Sequence, residues 1–289
     1  MHPMHADRRS GTQSICEAHM NTYLLVDASL IDKKEIIPAL ADGERPSWIL
    51  PIYQESAYLV TPLLIDMGEV VACEATHQLM PIWNACKPQL HISIISSDIS
   101  FAQLLNHFKN FIYVRTSSND FLTFRFADCA VLACLQFKLA APHWLAMTKP
   151  MSRWVIHGRD GSLNTLLLPD KISEISTTPL LLEDQQIHDL KEFLSADRLI
   201  FHLRNIRPSE FDTMDSVKLY AWVQDALSMW AAAGITDQSI LIDFALGVID
   251  TEGRLLRMKG MAEILAQPSL QLVREEMHNA IVRNTFKNV

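Results

Sequence analysis

The stretch from Asp120 to Leu139 most constrains how this chain can fold, because its residue pattern changes period part-way along. From Phe121 to Phe126, Phe and Leu alternate with Thr and Arg, and this period of two predicts a half-buried strand. The apolar residues that follow recur at helical spacing, and they are Val131, Leu132, Leu135 and Leu139. The chain is therefore predicted to pass from a strand directly into a helix.

Asp128 stands at the junction of these two elements. Its carboxylate can accept hydrogen bonds from the first free amides of the helix, and its charge suits the positive end of the helix dipole. Arg125 is close enough in sequence to pair with Asp128 or with another carboxylate. The pair can be an internal brace or a charge pair that faces a partner. We favour the brace, because Arg125 alternates with the apolar side chains Phe124 and Phe126.

The rest of the N-terminal half reads as strands mixed with helices. Strands are predicted at Tyr23–Val26, Trp48–Tyr53, Pro62–Ile65, His91–Ser96, Phe111–Val114, Trp154–Ile156 and Leu163–Leu168, and helices at Leu79–Cys86 and Phe101–Phe108. Prolines make the second of these strands an edge strand. Hairpins predict a mostly antiparallel sheet, and we expect this mixed α/β lobe to span residues 21–170.

From Leu182 onward the strand signal stops and apolar residues follow a helical period. The markers of successive helices are Ile187, Leu190 and Leu194; Leu199, Leu203 and Ile206; Leu219, Val223, Leu227 and Trp230; Ile240, Leu241, Phe244 and Val248; and Leu270, Val273, Met277 and Ile281. Breaks are predicted at Arg207-Pro208, Gly234 and Pro268. The predicted fold class is therefore α+β, with an all-helical lobe at residues 180–289 and a flexible tail at residues 1–20.

Charge and cysteine content narrow the classes of function. A net charge of −8 with scattered basic residues argues against a nucleic-acid binder. Five cysteines without a C-x-x-C pair fit reduced thiols better than a disulfide framework or a zinc ribbon. The chain has neither a signal-peptide pattern nor a run of about 20 apolar residues, so we expect a cytoplasmic protein without membrane contact.

Local catalytic motifs are absent from the sequence. It has no G-x-S-x-G, H-E-x-x-H, Walker A or G-x-G-x-x-G pattern, and only nine glycines. We therefore predict no enzyme activity, no cofactor and no metal. Two alternatives stay open: a hydrolase whose dispersed site uses histidines and carboxylates of the N-terminal lobe, and a self-associating structural protein. Four histidines scattered along this lobe are expected to be satisfied surface or core residues rather than metal ligands, and they are His77, His91, His143 and His157.

An aromatic pair in the helical lobe is a candidate partner contact. Trp230 falls on the apolar stripe of its helix, whereas Trp222 falls off that stripe, close to Tyr220. Exposed aromatic side chains are common anchors of protein interfaces. We therefore expect Trp222 and Tyr220 to be exposed.

Several motifs together carry a family resemblance. They are Phe124, Arg125, Phe126, Asp128, Val131 and Leu132, preceded by Ile95-Ser96-Ser97 and the helix from Phe101 to Phe108, and followed by Trp154. This set, with the opening strand Tyr23–Val26, resembles the adaptor/chaperone family of bacterial type VI secretion, whose shared domain is called DUF4123. Members typically read Phe-Arg-Phe-x-Asp-Pro-Arg-Val-Leu, whereas this chain has Cys129-Ala130 in place of Pro-Arg. The resemblance covers residues 20 to 160.

The resemblance implies a function. Proteins of this family load toxic effectors onto the VgrG spike of the secretion apparatus. By that likeness, the chain is expected to be a non-catalytic adaptor that binds an effector protein, through the effector's N-terminal region, and presents it to the C-terminal region of VgrG.

Overall fold

The computed structural model describes residues 20–28, 46–53, 61–86, 91–169, 178–211 and 214–285. The predicted tail, apart from Met20, lies outside these residues. The sequence also predicts a turn at residues 42–46 and an extended stretch at 58–60; residues 42–45 and 58–60 lie outside the described residues as well.

A six-stranded antiparallel sheet, the large sheet, forms the centre of the N-terminal lobe, with strand order β2-β3-β1-β4-β7-β8. Its strands are β1 (Asn21–Asp27), β2 (Ile49–Pro51), β3 (Pro62–Asp66), β4 (Ile92–Ser97), β7 (Met151–His157) and β8 (Leu163–Thr165). Both faces of the sheet are covered, since Tyr23 and Leu25 of β1 join one apolar core and Leu24 and Val26 join another. A strand that is buried on both faces reads as a continuous apolar run, as β1 does from Tyr23 to Val26.

A second, three-stranded sheet, the small sheet, has the order β6-β5-β9. Its strands are β5 (Tyr113–Thr116), β6 (Phe121–Thr123) and β9 (Leu180–Leu182). The hairpin of β5 and β6 is antiparallel, as predicted, whereas β9 pairs with β5 in parallel.

Helices flank the strands and then form the C-terminal region alone. They are α1 (Met67–Ala72), α2 (Thr76–Ala85), α3 (Phe101–Lys109), α4 (Cys129–Lys138), α5 (Ala141–Thr148), α6 (Asp184–Phe193), α7 (Ser195–Ile206), α8 (Pro208–Phe211), α9 (Ser216–Ala232), α10 (Gln238–Asp250), α11 (Met261–Leu265) and α12 (Leu270–Thr285). None of those described combines the length and the apolar composition needed to cross a membrane.

Side-chain caps explain where many of these helices begin. Aspartates cap α1, α4, α9 and α10, because each side chain accepts from amides of the first turn. Ser100 and Gln103 form the predicted capping box of α3. Gly234 follows α9 with a φ of +72°, in the left-handed conformation that ends a helix.

The predicted strand from Phe121 to Phe126 is wrong in its length and its burial. Only Phe121–Thr123 is a strand, and its three residues are exposed. Phe124 closes the hairpin, since its amide donates to the carbonyl of Ile112 at 2.9 Å. The chain then leaves the sheet, so that Phe124 and Phe126 enter the core from an irregular segment. Side chains from Phe124 to Phe126 therefore alternate between buried and exposed, although this segment is not part of a strand.

The residues just after the predicted lobe boundary contact the N-terminal core. Strand β9 pairs with β5, and Ile187, Leu190 and Leu194 pack against the same core as Phe126. Two further apolar cores lie within α7–α12. The α+β class is confirmed, with a largely antiparallel N-terminal region followed by a helical one, whereas the division at residues 170–180 stays a prediction.

Candidate functional site

The motif residue Arg125 lies between two carboxylates. Its guanidinium is 2.9 Å from Asp27 Oδ2, at the end of β1, and 3.4 Å from Asp128 Oδ2, at the start of α4. The Asp27 side chain is only 4% exposed and that of Asp128 is 14% exposed, whereas 48% of Arg125 reaches solvent. We call these three residues the charge cluster. It joins β1 to α4, which is the arrangement expected of an internal brace.

Asp128 has a second role as the helix cap. Its Oδ1 accepts from the amides of Ala130 at 2.8 Å and Val131 at 3.5 Å. Burial raises the pKa of its carboxyl to about 6, although Arg125 and the two amides act in the opposite direction. The negative charge of Asp27 adds to the rise. The capping carboxylate is therefore held charged at neutral pH against a desolvation cost.

Other ionisable groups surround the cluster. Burial, and then the charge of Asp27, raises the pKa of Tyr53 to about 12. Burial lowers the pKa of His91 to about 4, against the opposing effect of Asp27, and the His91 carbonyl accepts from the Asp27 amide at 2.8 Å. Both side chains are therefore neutral near pH 7, and the charge cluster lies among groups that carry no charge.

The remaining histidines named from the sequence do not form one site. His157 is buried with Nδ1 2.9 Å from the Ile92 carbonyl, which also accepts from Cys129 Sγ at 3.2 Å. His77 is exposed beside Glu74. Within the described ranges, no group of three or more His, Cys, Asp or Glu side chains is placed to hold a metal ion.

The apolar motif residues build the core next to the charge cluster. Phe124, Phe126, Val131 and Leu132 are all buried there. Phe126 stacks on Phe108 with ring centroids 5.2 Å apart. At the position where this chain departs from the motif, Cys129 and Ala130 are buried too, in the first turn of α4. The motif side chains are thus engaged inside the lobe.

The aromatic pair of the helical region is less exposed than expected. Tyr220 is partly buried, and the guanidinium carbon of Arg159 lies 3.8 Å from the centre of its ring. Trp222 is also partly buried and packs closely against Gly253. Their role as partner contacts stays a prediction.

Sequence reasoning missed an exposed apolar surface on the small sheet. Tyr113 and Phe121 are 52% and 60% exposed, and Leu122 and Leu181 are each 41% exposed. The alternation of Phe121 and Leu122 with polar residues suggested a half-buried strand. That alternation does not indicate which strand lies at the edge of a sheet, so the exposure of Phe121 and Leu122 was not predicted.

A shallow depression of about 290 Å³ lies elsewhere, where β1 begins and β3 ends. Its lining residues are Met20, Asn21, Thr22, Asp66, Met67 and Gly68. Its carboxylate, Asp66, accepts from the amides of Gly68 and Glu69 as the cap of α1. None of the groups with shifted pKa values described above lines this depression.

The fold and the charge cluster define a class: an α+β protein whose large sheet is buried on both faces and braced by one arginine. Within it, residues 22–146 match a family model described as "Domain of unknown function (DUF4123)". The chain therefore carries a DUF4123 domain, which runs from β1 into α5 and includes the whole charge cluster. Comparison with curated proteins and with solved structures found no match.

Proposed function

We propose that this protein is a non-catalytic, cytoplasmic adaptor of bacterial type VI secretion. It binds an effector protein, through the effector's N-terminal region, and presents that effector to the C-terminal region of the VgrG spike. The observation that carries the proposal is the DUF4123 domain at residues 22–146, because it contains the Phe124–Asp128 motif on which the resemblance to these adaptors rests.

The contacts of the motif side chains support a structural role for the motif, in which it holds the domain together. Phe124 and Phe126 pack in the core, and Arg125 pairs with Asp27 and Asp128. These groups are engaged in holding strands and helices together. Client contacts are then made by other side chains, and the small sheet offers exposed apolar ones.

An adaptor of this kind works by binding and mass action alone. A protein that binds two clients at once raises the effective concentration of each for the other. It also shields apolar effector surface before delivery, since a partner that binds the folded state stabilises it. Such a mechanism requires two separable surfaces and no chemical step.

Co-purification tests the proposal. The tagged protein is co-expressed with the products of its adjacent reading frames, and the eluate is analysed by size-exclusion chromatography with light scattering. We expect a stable complex with an effector-like protein, with VgrG, or with both. The tag expressed without the adaptor is the control for binding to the resin.

Two results would contradict the adaptor function. The first is elution of the protein alone with every neighbour tested; effector loading is then abandoned, and the ionisable groups near Asp27 are assayed for hydrolase activity. Elution as a homo-oligomer that excludes the effector would instead support a self-associating structural protein.

A further inference from the structure

The outer edge of β6 is open in the described part of the chain. Strand β6 pairs with β5 on one side, and no described strand pairs with its other side. Two hydrogen bonds define the hairpin: Phe124 N donates to Ile112 O, and Thr116 N donates to Asp120 O, each at 2.9 Å. Because bonded pairs alternate along an antiparallel hairpin, Leu122 is the bonded position between them.

Phe121 and Thr123 occupy the alternate positions. Their backbone N–H and C=O groups therefore point away from β5, toward the open edge. An incoming extended segment finds there two donors and two acceptors at strand spacing. Unpaired backbone groups of this kind are a template for strand addition.

Side chains at this edge are apolar on both faces of the small sheet. Phe121 is 60% exposed on the outer face, and its neighbour Leu122 is 41% exposed on the opposite face. Tyr113 extends the outer face with 52% exposure. An added strand would cover apolar surface on both faces while it pairs with the backbone.

The other described edges differ from β6. The edge strand β2 ends in Pro51, and β8 has the polar Asn164 at its centre. In β9, at the far side of the small sheet, Leu180 and Leu182 are buried and only Leu181 is exposed, whereas all three residues of β6 are exposed. Proline and charged side chains are common protections of sheet edges, and β6 has neither a proline nor a charge.

One cation adds charge specificity. Arg115 lies directly across from Phe121 on the outer face and forms no ion pair with any described residue. A strand added beyond β6 would lie about 10 Å from β5, which is two strand spacings. The long side chain of Arg115 covers most of that distance, so a carboxylate on the incoming strand, opposite Phe121, completes the pair.

Pairing of β6 with β6 of a second copy supplies no such carboxylate. The outer-face positions of its β6 are Phe121 and Thr123, and Asp120 alternates to the opposite face. Charge complementarity therefore favours a different chain over self-pairing.

From these features we propose that the β6 edge binds an extended segment of the effector as a fourth strand of the small sheet. The segment is apolar and carries a carboxylate that pairs with Arg115. This inference rests on the proposed adaptor function and assigns a surface to it.

Thr123→Pro is the direct test. Proline removes the outward N–H of Thr123 and leaves the hydrogen bonds between β6 and β5 in place. Edge strands tolerate proline at such an outward-facing position. The probe is the effector that co-purifies with the unmodified protein. We expect its Kd to rise about tenfold or more, because the partner's carbonyl is left unpaired in a buried contact.

Thr165→Pro is the matched control. Thr165 is the last residue of the three-residue edge strand β8, just as Thr123 is of β6. Its amide also points outward, since Leu166 N donates to Trp154 O and Gly158 N donates to Ser162 O, each at 2.8 Å. This variant should bind the effector as the unmodified protein does.

Two measurements do not depend on how the proline variant folds. Arg115→Glu changes an exposed side chain and should also weaken binding. Hydrogen–deuterium exchange of the unmodified protein should show the Phe121 and Thr123 amides exchanging fast when free and protected in the complex.

The outcomes separate this inference from the adaptor function. If the unmodified protein captures no effector, the proposed function fails and the inference fails with it. If the protein captures the effector, both Thr123→Pro and Arg115→Glu still bind it, and the Phe121 and Thr123 amides stay unprotected in the complex, then only the assignment of binding to the β6 edge is overturned. If Thr165→Pro weakens effector binding as much as Thr123→Pro does, the effector does not bind specifically at β6. If Thr123→Pro instead abolishes a homodimer of the unmodified protein, the β6 edge serves self-association.

Discussion

One guanidinium serves two carboxylates in the charge cluster. Asp27 is almost fully buried and Asp128 nearly so, yet they share Arg125 at 2.9 and 3.4 Å. Buried charges are costly unless they are paired, and removing one partner leaves the others uncompensated. The stability of the N-terminal lobe should therefore depend strongly on this single side chain.

Arg125→Met should lower the free energy of unfolding by about 2 to 3 kcal/mol. This loss is smaller than that for a fully buried ion pair, because the Arg125 side chain is half exposed. Urea unfolding at neutral pH measures this. Arg125→Lys is the control, because lysine retains the charge without the planar fork of donors and should lose less. Equal stability of Arg125→Met and the unmodified protein would mean that water already compensates both carboxylates.

The pH dependence of stability tests the Asp128 carboxyl. Its folded-state pKa of about 6 lies above its unfolded value of about 3.9, so the folded protein binds this proton more tightly. Its contribution to stability is therefore full below about pH 4 and is lost as the pH rises through about 6.

Asp128→Asn retains a capping oxygen but does not titrate. Between about pH 4 and pH 7, the free energy of unfolding of the unmodified protein should fall relative to this variant by at most about 3 kcal/mol. Thermal unfolding of both proteins across this range checks the difference, and other titrating groups cancel in the comparison. A stability of the unmodified protein that instead rises with pH relative to Asp128→Asn would show that Arg125 lowers the pKa of this carboxyl, and an unchanged relative stability would show that the carboxyl is solvated.

At the scale of single elements, helix α10 ends in an unfavourable backbone conformation. Gly253 N donates to Val248 O at 2.8 Å and Glu252 N to Ile249 O at 2.9 Å, the two bonds of a Schellman motif. Glu252 takes the left-handed position with a φ of +51°. Glycine is the usual residue there, because a Cβ is strained in that conformation.

Glu252→Gly should raise the free energy of unfolding by about 1 kcal/mol, since the exposed Glu252 side chain contributes strain and forms no hydrogen bond or ion pair with a described residue. Thermal unfolding at fixed pH measures the gain. Gly253→Ala is the opposing control: its Cβ would lie 2.5 Å from Trp222 Nε1, at a φ of +75°. That variant should be destabilised by about 2 kcal/mol, and a neutral result for both changes would contradict this account of the helix end.

At the scale of the whole molecule, Arg159 links the hairpin of β7 and β8 to the helical region. It pairs with Asp197 of α7, covers the ring of Tyr220, and accepts at its carbonyl from Ser216 Oγ at 2.7 Å. Tyr220 and Ser216 belong to α9. The side chain of Arg159, which lies in the turn between β7 and β8, thus contacts two helices, α7 and α9.

Arg159→Ala should weaken the coupling between the two regions by about 2 kcal/mol, because both an ion pair and a cation–π contact are lost. We expect urea unfolding followed by tryptophan fluorescence to become broader, or to separate into two steps. Arg153→Ala, an exposed arginine on the same hairpin without an ion pair among the described residues, is the control. An unchanged single transition in Arg159→Ala would show that α6 and β9 suffice to couple the regions.

Much of the fold could be predicted because its signals are local. The caps Asp128 and Ser100 act on amides two or three residues away, so the starts of α4 and α3 are readable in the chain itself. The same holds for the helical period of α9 and α10 and for the left-handed Gly234. Local rules did not predict α5, a short helix without a side-chain cap.

The charge cluster and the proposed binding edge were decided at longer range. The sequence alone determined that Arg125 needs a carboxylate, that Asp128 begins a helix, and that helices follow a mixed α/β lobe. Only the tertiary structure brought Asp27 to Arg125 across 98 residues, paired β9 with β5, and placed β6 at an edge of the small sheet among the described strands. The physical reason is that capping and periodicity act within a few residues, whereas burial and strand pairing depend on which distant segments pack alongside.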